Sequence, residues 1–206
     1  MICRPTARRG IMPLFVAAAL ALTTGCTENP VPADLVERSD AAVDTFQSRL
    51  QSELRQALTA GGPVGAVEVC AAVAPAIAAD ASEQSGFDIR RVSLRPRNPG
   101  AVTDAQLSAR LQSLAETPLD PAGRPVTVRW TEGEGTSATH FAMRAVVMQD
   151  QPCSVCHGSS IAPAVRTAIA ERYPNDRATG YRAGELRGAI LTSWPQRGDG
   201  ADGQSR

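Results

Sequence analysis

The pentapeptide Cys153-Ser154-Val155-Cys156-His157 constrains this chain more than any other feature. It has the C-x-x-C-H spacing by which c-type haem is attached to proteins. Two thiols three residues apart can each add to one vinyl group of a single porphyrin, and the adjacent imidazole then reaches the iron. The sequence therefore predicts one covalent haem c, with Cys153 and Cys156 as attachment residues and His157 as the proximal iron ligand. A disulfide-type C-x-x-C pair or half of a zinc site is the alternative interpretation of the two thiols.

The first 26 residues have the pattern of a bacterial export signal. Three arginines precede an uncharged apolar run from Ile11 to Leu22, which is too short to span a bilayer. The run ends at Leu22-Thr23-Thr24-Gly25-Cys26, which looks like a lipobox with Thr23 where a large aliphatic residue is usual. We expect residues 1–25 to be a lipoprotein-type signal peptide and Cys26 to be lipidated. Ordinary cleavage that leaves Cys26 free is the alternative.

Export and the haem motif predict the same compartment. In bacteria haem is attached to such motifs on the periplasmic side, where the environment is oxidising. The expected location is therefore the periplasmic face of a bacterial membrane, and the outer membrane rather than the inner one because Thr27, not Asp, follows Cys26. The chain has 21 basic residues, all of them arginine, and no basic patch with interleaved aromatic residues, so nucleic acid is not an expected partner.

Hydrophobic periodicity divides the chain into a tether at 26–33, one domain at 34–196 and a disordered Gly/Asp-rich tail at 197–206. Gly61-Gly62-Pro63 is expected to stop the first helix, and Pro75 to kink the second. The segment 95–100 is expected to be irregular because it holds two prolines. The predicted helices cover 34–60, 64–80, the stretch from a Thr103-Asp104 cap to Glu116, and 163–172; the predicted strands cover 87–94, 126–131, 140–148 and 186–192.

The second axial ligand must come from upstream of the motif. After His157 the chain has no His, Met, Cys or Lys, so the candidates that remain are Cys70, His140, Met143 and Met148. The two methionines lie in an apolar strand pattern that is typical of core residues, and His140 is the other histidine of the chain. Cys70 lies on an alanine-rich helix, where a free cysteine is often a small apolar side chain. These residues alone leave all four possibilities open.

The chain resembles a bacterial family of PAS-like c-type haem domains, long known as a domain of unknown function. The resemblance covers nearly everything from residue 35 to residue 195 and rests on four motifs in the same order. They are Ala66-Val67-Glu68-Val69-Cys70, Arg91-Val92-Ser93-Leu94-Arg95-Pro96-Arg97-Asn98-Pro99, the C-x-x-C-H-G run at 153–158, and Tyr173-Pro174-Asn175-Asp176-Arg177-Ala178-Thr179-Gly180-Tyr181 with Gly184, Arg187 and Gly188 after it.

This resemblance implies an α+β fold, in which a PAS-like antiparallel sheet with N-terminal helices carries the covalently attached haem. It also implies His and Cys as the two axial ligands, which by position are His157 and Cys70. Arg95 and Arg97 are expected to bind the haem propionates, because the guanidinium fork fits a carboxylate. Solvent-exposed loop arginines are the alternative.

A thiolate opposite an imidazole favours ferric iron, so we expect a low-potential centre without an open coordination site. The leading hypothesis is a periplasmic redox- or gas-responsive haem sensor without catalysis of its own, which passes its signal to a separate redox or signalling protein. Members of the family form sensory regions of membrane signalling proteins. The alternative hypothesis is an electron-transfer monohaem cytochrome c. A peroxidase-type enzyme is a third, and it requires an open sixth position.

Overall fold

The computed structural model describes residues 31–195. The predicted signal peptide, the lipidation site at Cys26, most of the tether and the predicted tail lie outside the described residues. The described part contains five helices with three shorter helical turns, and four strands. This is the α+β composition that the sequence predicted.

The N-terminal helices form a hairpin that reverses at Gly62. Helix α1 spans Ala33–Glu68, but Gly62 has φ 61° and ψ −166°, a conformation that only glycine adopts without strain. Residues on both sides of this point share one hydrophobic cluster, with Phe46 before it and Ile77 after it. Arg49 also pairs with Asp80 across the hairpin. The predicted helix stop at 61–63 is therefore present as a reversal between two helical segments.

A π-helical turn, Val69–Val73, follows α1 directly and leads into α2 at Ala74–Ser85. Pro75 lies in the first turn of α2 and cannot donate a backbone hydrogen bond to the preceding turn. The wider π turn accommodates this lost hydrogen bond where the sequence predicted a kink. Helix α2 ends at Gly86, whose left-handed backbone has φ 75°.

Four antiparallel strands form one sheet. The strands are β1 (Asp88–Val92), β2 (Thr127–Glu132), β3 (Thr139–Val147) and β4 (Leu186–Pro195), and their order in the sheet is β1-β4-β3-β2. All four strands were predicted, but β4 extends three residues past the predicted end at Thr192. The extension continues the pairing with β3 and places Trp194 edge-on against Phe87, with 5.1 Å between the ring centroids.

The two faces of the sheet are covered by different helices. The hairpin of α1 and α2 packs on one face through a cluster that includes Phe46, Ile190 and Trp194. Helix α3, Ala105–Glu116, packs on the other face through its leucines. The carboxylate of Asp104 accepts a hydrogen bond from the Leu107 amide at 2.7 Å, which confirms the predicted cap.

The long connection from β3 to β4 carries the C-x-x-C-H motif. It contains the short helix α4, Ser154–His157, and helix α5, Pro163–Arg172. Helix α5 packs with Val67 of α1 in a separate cluster at the end of the helical hairpin. The motif is thereby held beside the π turn.

Among the described residues, the helical stretch Ala33–Ser85 is long and apolar enough to cross a membrane, with a mean hydropathy of 1.6 in an 18-residue window. That window is 22 % buried, and the stretch packs on the sheet through residues that include Phe46 and Ile77. Between Arg55 and Asp80 its only charged residue is Glu68.

Candidate haem site

The motif forms one helical turn that presents its two thiols on the same segment. The amide of His157 donates a hydrogen bond to the Cys153 carbonyl at 3.0 Å. Cys153 and Cys156 are both half-buried and free, as covalent attachment requires. Gly158 closes the turn, and a Cβ at this position would lie 2.6 Å from the Ser154 carbonyl oxygen. The close approach explains why a glycine follows the motif.

His157 is oriented by a backbone carbonyl. Its Nδ1 lies 2.7 Å from the carbonyl oxygen of Ala178. Burial, together with the nearby charges of Arg187 and Arg97, lowers the pKa of His157 to about 2, so the imidazole is neutral. Arg187 Nε also lies 3.2 Å from Nδ1 of His157, but the shorter contact is to a carbonyl, which can only accept, so Nδ1 carries the proton and the lone pair is on Nε2. This is the tautomer that a metal-ligating histidine needs.

Arg97 holds the motif against the loop that orients His157. Its Nε and Nη2 donate to the two carboxylate oxygens of Asp176 at 3.1 and 3.2 Å, and Nη2 also donates to the Cys156 carbonyl at 2.6 Å. The Arg97 residue is 8 % exposed, so this ion pair is well buried. Asp176 also accepts a hydrogen bond from the Ala178 amide at 2.9 Å. The pair thereby positions the carbonyl that binds His157.

Arg95 supports the same loop from its other side. Its Nε donates to the Arg177 carbonyl at 3.2 Å, and Nη2 donates to the Thr179 carbonyl. The guanidinium carbon lies 4.2 Å from the ring centroid of Tyr181. Nε and Nη2 of both Arg95 and Arg97 have protein partners, so both residues support the loop. The predicted binding of haem propionates by these two arginines stays a prediction.

Cys70 lies in the π turn and is half-buried. Burial raises the pKa of its thiol, although the charges of Arg97, Arg91 and Arg187 lower it. The pKa of the Cys156 thiol is likewise raised, first by burial, and the neighbouring Cys70 adds to this effect. Ala71, next to Cys70, packs in the same hydrophobic cluster as Cys156. The fold thus brings the predicted second ligand to the motif, from a position 83 residues away in the chain.

The structure separates His140 from the motif. In the register of β3 and β4, His140 lies opposite Trp194 at one end of the sheet. Arg187 lies on β4, seven residues before Trp194, and its Nε is 3.2 Å from Nδ1 of His157. Seven residues of strand span roughly 23 Å. His140 is 1 % exposed, and its Nδ1 is 2.9 Å from the Thr131 hydroxyl oxygen. Its Nε2 is buried without a hydrogen-bond partner among the described residues, but His140 lies beside Trp194, at the other end of the strand from the motif.

The two methionines are also core residues. Met143 is fully buried in the cluster between the sheet and α3, away from the helical hairpin. Met148 packs with Ala178 and Tyr181, and the amide of Tyr181 donates to the His157 carbonyl at 2.9 Å. Met148 therefore lies on the side of the motif where His157 is supported. Of the four candidates, Cys70 is the one whose position suits a second ligand.

Two further arginines lie at this site. Burial, and the charge of Arg187, lower the pKa of Arg91 to about 10, and burial also lowers the pKa of Arg187. In the described residues, Nε of Arg91 is buried and has no hydrogen-bond partner. Arg187 donates from Nη1 to the Ser93 hydroxyl at 3.3 Å and its Nε lies 3.2 Å from His157 Nδ1, and within the described part of the chain no carboxylate pairs with it.

A family model of Tll0287-like proteins matches residues 31–195. The chain belongs to the Tll0287-like family. Its structure is also similar to a solved one, described as the crystal structure of the cyanobacterial haem protein Tll0287, with 23 % identity and a TM-score of 0.58. The match covers 81 % of this chain and 98 % of that chain. A comparison with curated proteins gives no match.

These comparisons confirm the resemblance and the α+β fold inferred from the motifs. In this member of the family, sequence reasoning missed Arg91 and Arg187 as residues of the site. Both were part of the motifs that carried the resemblance, at the start of the 91–99 string and after Gly184. Their position in a motif was a signal, but only the fold shows that they lie beside Cys70 and His157.

Proposed function

We propose that this Tll0287-like protein binds one haem c, attached through Cys153 and Cys156, with His157 and Cys70 as axial ligands. The observation that carries the proposal is His157, a neutral imidazole whose Nδ1 is engaged by the Ala178 carbonyl and whose Nε2 is left with its lone pair, one residue after the attachment pair. The similarity to the solved structure of a cyanobacterial haem protein supports it. Iron held by such a haem supplies one-electron redox chemistry and can exchange an axial ligand.

The residues of the site fit this group. A porphyrin needs two thiols at the C-x-x-C spacing, an unprotonated imidazole nitrogen and positive partners for its carboxylates. The chain supplies one thiol at the N-cap of α4 and one within it, the imidazole in His157, and in Arg91 a half-buried guanidinium whose Nε has no partner among the described residues. The apolar surface of the hairpin near Cys70 supplies walls with few charges.

Cys70 is protonated in the chain alone, because burial raises its pKa. Binding to iron therefore requires release of the thiol proton, and the three nearby arginines stabilise the thiolate that results.

We propose a redox- or gas-responsive sensor module as the function. The support is the position of Cys70 in a π turn that leads directly into α2, because π turns are frequent at functional sites and are less stable than the surrounding α-helix. Helix α2 contacts the sheet through the Ser82 hydroxyl, which accepts a hydrogen bond from the Ile89 amide at 2.9 Å. A change at Cys70 therefore has a mechanical route to the sheet. Electron transfer is the alternative, favoured by the partial exposure of both attachment cysteines.

Covalent attachment is tested by producing the full chain together with a c-type maturation system. We expect one haem per chain that stays with the denatured protein and a haemochrome spectrum of two thioether bonds. Cys153→Ala and Cys156→Ala should each shift that spectrum to the form with a single thioether bond. Cys70→Ala is the matched cysteine control and should leave attachment intact. Haem that is released from the parent on denaturation would contradict the proposal.

We further propose that the protein is anchored at the periplasmic face of the outer membrane through a lipid on Cys26. Cell fractionation of the full chain and of Cys26→Ser tests this location. The parent should be recovered with outer membranes and the variant in the soluble periplasmic fraction. Recovery of both in the soluble fraction would exclude the lipid anchor.

A further inference from the structure

Arg91 is the fourth residue of β1 and has no side-chain hydrogen bond among residues 31–195. The residue is half-buried, and its Nε is buried without an acceptor in the described chain. Its neighbour Arg90 is different, since it is 40 % exposed at the side chain and lies 3.9 Å from an Asp88 oxygen. Buried donors normally have partners. The guanidinium of Arg91 is therefore free to bind an acceptor that the described chain does not provide.

The surroundings of Arg91 favour such an acceptor. Arg187 is close enough to repel it, and both guanidiniums are close to Cys70 or to residues of the motif. The nearby carboxylate is that of Asp176, and Arg97 already binds both of its oxygens. Among the described residues, the site thus holds two half-buried arginines, Arg91 and Arg187, with no carboxylate paired to either of them.

We propose that Arg91 binds a propionate carboxylate of the haem. The inference rests on the proposed function and names a residue that the sequence motifs alone did not assign to this role. A guanidinium fork matches a carboxylate in charge and geometry. Arg91 is thereby a binding residue, while Arg187, whose Nε lies 3.2 Å from His157 Nδ1 and whose Nη1 donates to the Ser93 hydroxyl, supports the site from within the protein.

The test measures the ionisation of the propionates themselves. Haem is labelled with carbon-13 at its propionate carboxyls, and the infrared bands of these groups are followed during a pH titration of the oxidised holoprotein. An adjacent arginine lowers a carboxyl pKa by about 1–3 units. In Arg91→Met we expect one propionate to titrate at least about one unit higher than in the parent. Arg90→Met is the matched control from the same strand and should leave both titrations unchanged.

Arg91→Gln makes the same neutral change with a polar side chain and serves if the methionine variant does not fold. Arg91→Lys should restore part of the lowered pKa, because it keeps the charge without the fork. Labelled bands whose titration is the same in parent, Arg91→Met and Arg91→Gln would overturn the role of Arg91 alone. A parent that carries no labelled haem would instead overturn the proposed function, and this proposal with it.

Discussion

The ion pair between Arg97 and Asp176 makes the strongest quantitative prediction. The two side chains are 6 % and 10 % exposed, and Arg97 donates to both carboxylate oxygens. Arg97→Met would leave the carboxylate of Asp176 buried and without its cation. Removing one partner of a buried pair costs about 3–5 kcal/mol. For a domain of this size that cost corresponds to a decrease in Tm of roughly 6–20 °C.

Thermal unfolding of the full chain, followed by circular dichroism, measures this loss. In a double-mutant cycle, Arg97→Met with Asp176→Asn should lose clearly less than the sum of the two single variants, because the charge left behind by one change is removed by the other. Arg124→Met is the matched control, since Arg124 pairs with Asp120 on the surface and is 77 % exposed. It should change Tm little. An Arg97→Met variant as stable as Arg124→Met would refute the assignment of Arg97 as a buried clamp.

Three further predictions concern the same fold. Gly158→Ala should reduce the yield of attached haem strongly, because the new Cβ would lie 2.6 Å from the Ser154 carbonyl oxygen. The control Gly61→Ala should leave the yield unchanged, because its Cβ meets nothing within 4 Å. Equal haem yields from the two variants would refute the steric argument. The pKa of His157 is about 2 in the folded, haem-free chain, far below its unfolded value. Its contribution to stability is therefore complete above about pH 6.5. Below that pH the free energy of unfolding falls by up to about 1.4 kcal/mol per pH unit. His157→Gln should flatten this slope in unfolding measured from pH 7 to pH 5, and an unchanged slope would contradict the buried neutral histidine. Asp104→Ala should cost about 1 kcal/mol in urea unfolding, since it removes the cap of α3, and no loss would show that the cap is dispensable.

Local signals in the sequence predicted the elements well. Gly61-Gly62-Pro63, the Asp104 cap and Pro163 each act on the backbone of their own neighbourhood, so their effect is visible without the fold. The π turn at Val69–Val73 was not predicted, because its width depends on how Pro75 is accommodated between α1 and α2. The sequence indicated only that the helix is disturbed there.

The partners of the site's arginines could not be predicted in the same way. Arg97 and Asp176 are separated by 79 residues, and nothing in their local sequence tells that one binds the other. Without this pairing, a guanidinium beside a haem motif is naturally assigned to a propionate. The fold gives Arg95 and Arg97 partners within the protein and leaves the buried Nε of Arg91 without an acceptor among the described residues.

Cys70 shows where sequence and structure complement each other. Elimination in the sequence left it beside His140 and two methionines, and the resemblance to the family favoured it. The fold places His140 at the far end of the sheet and both methionines in cores that do not include Cys70. Cys70 itself lies near the motif and shares its electrostatic environment with His157, because both are close to Arg91, Arg97 and Arg187.

The most direct test of this account is electron paramagnetic resonance of the oxidised holoprotein, recorded beside Cys70→Ala and the control His140→Ala. We predict a low-spin ferric signal of thiolate type in the parent and in His140→Ala, and its loss in Cys70→Ala with covalent haem retained. A Cys70→Ala spectrum identical to that of the parent would contradict ligation by Cys70. A high-spin signal in the parent would contradict a six-coordinate site held by His157 and Cys70.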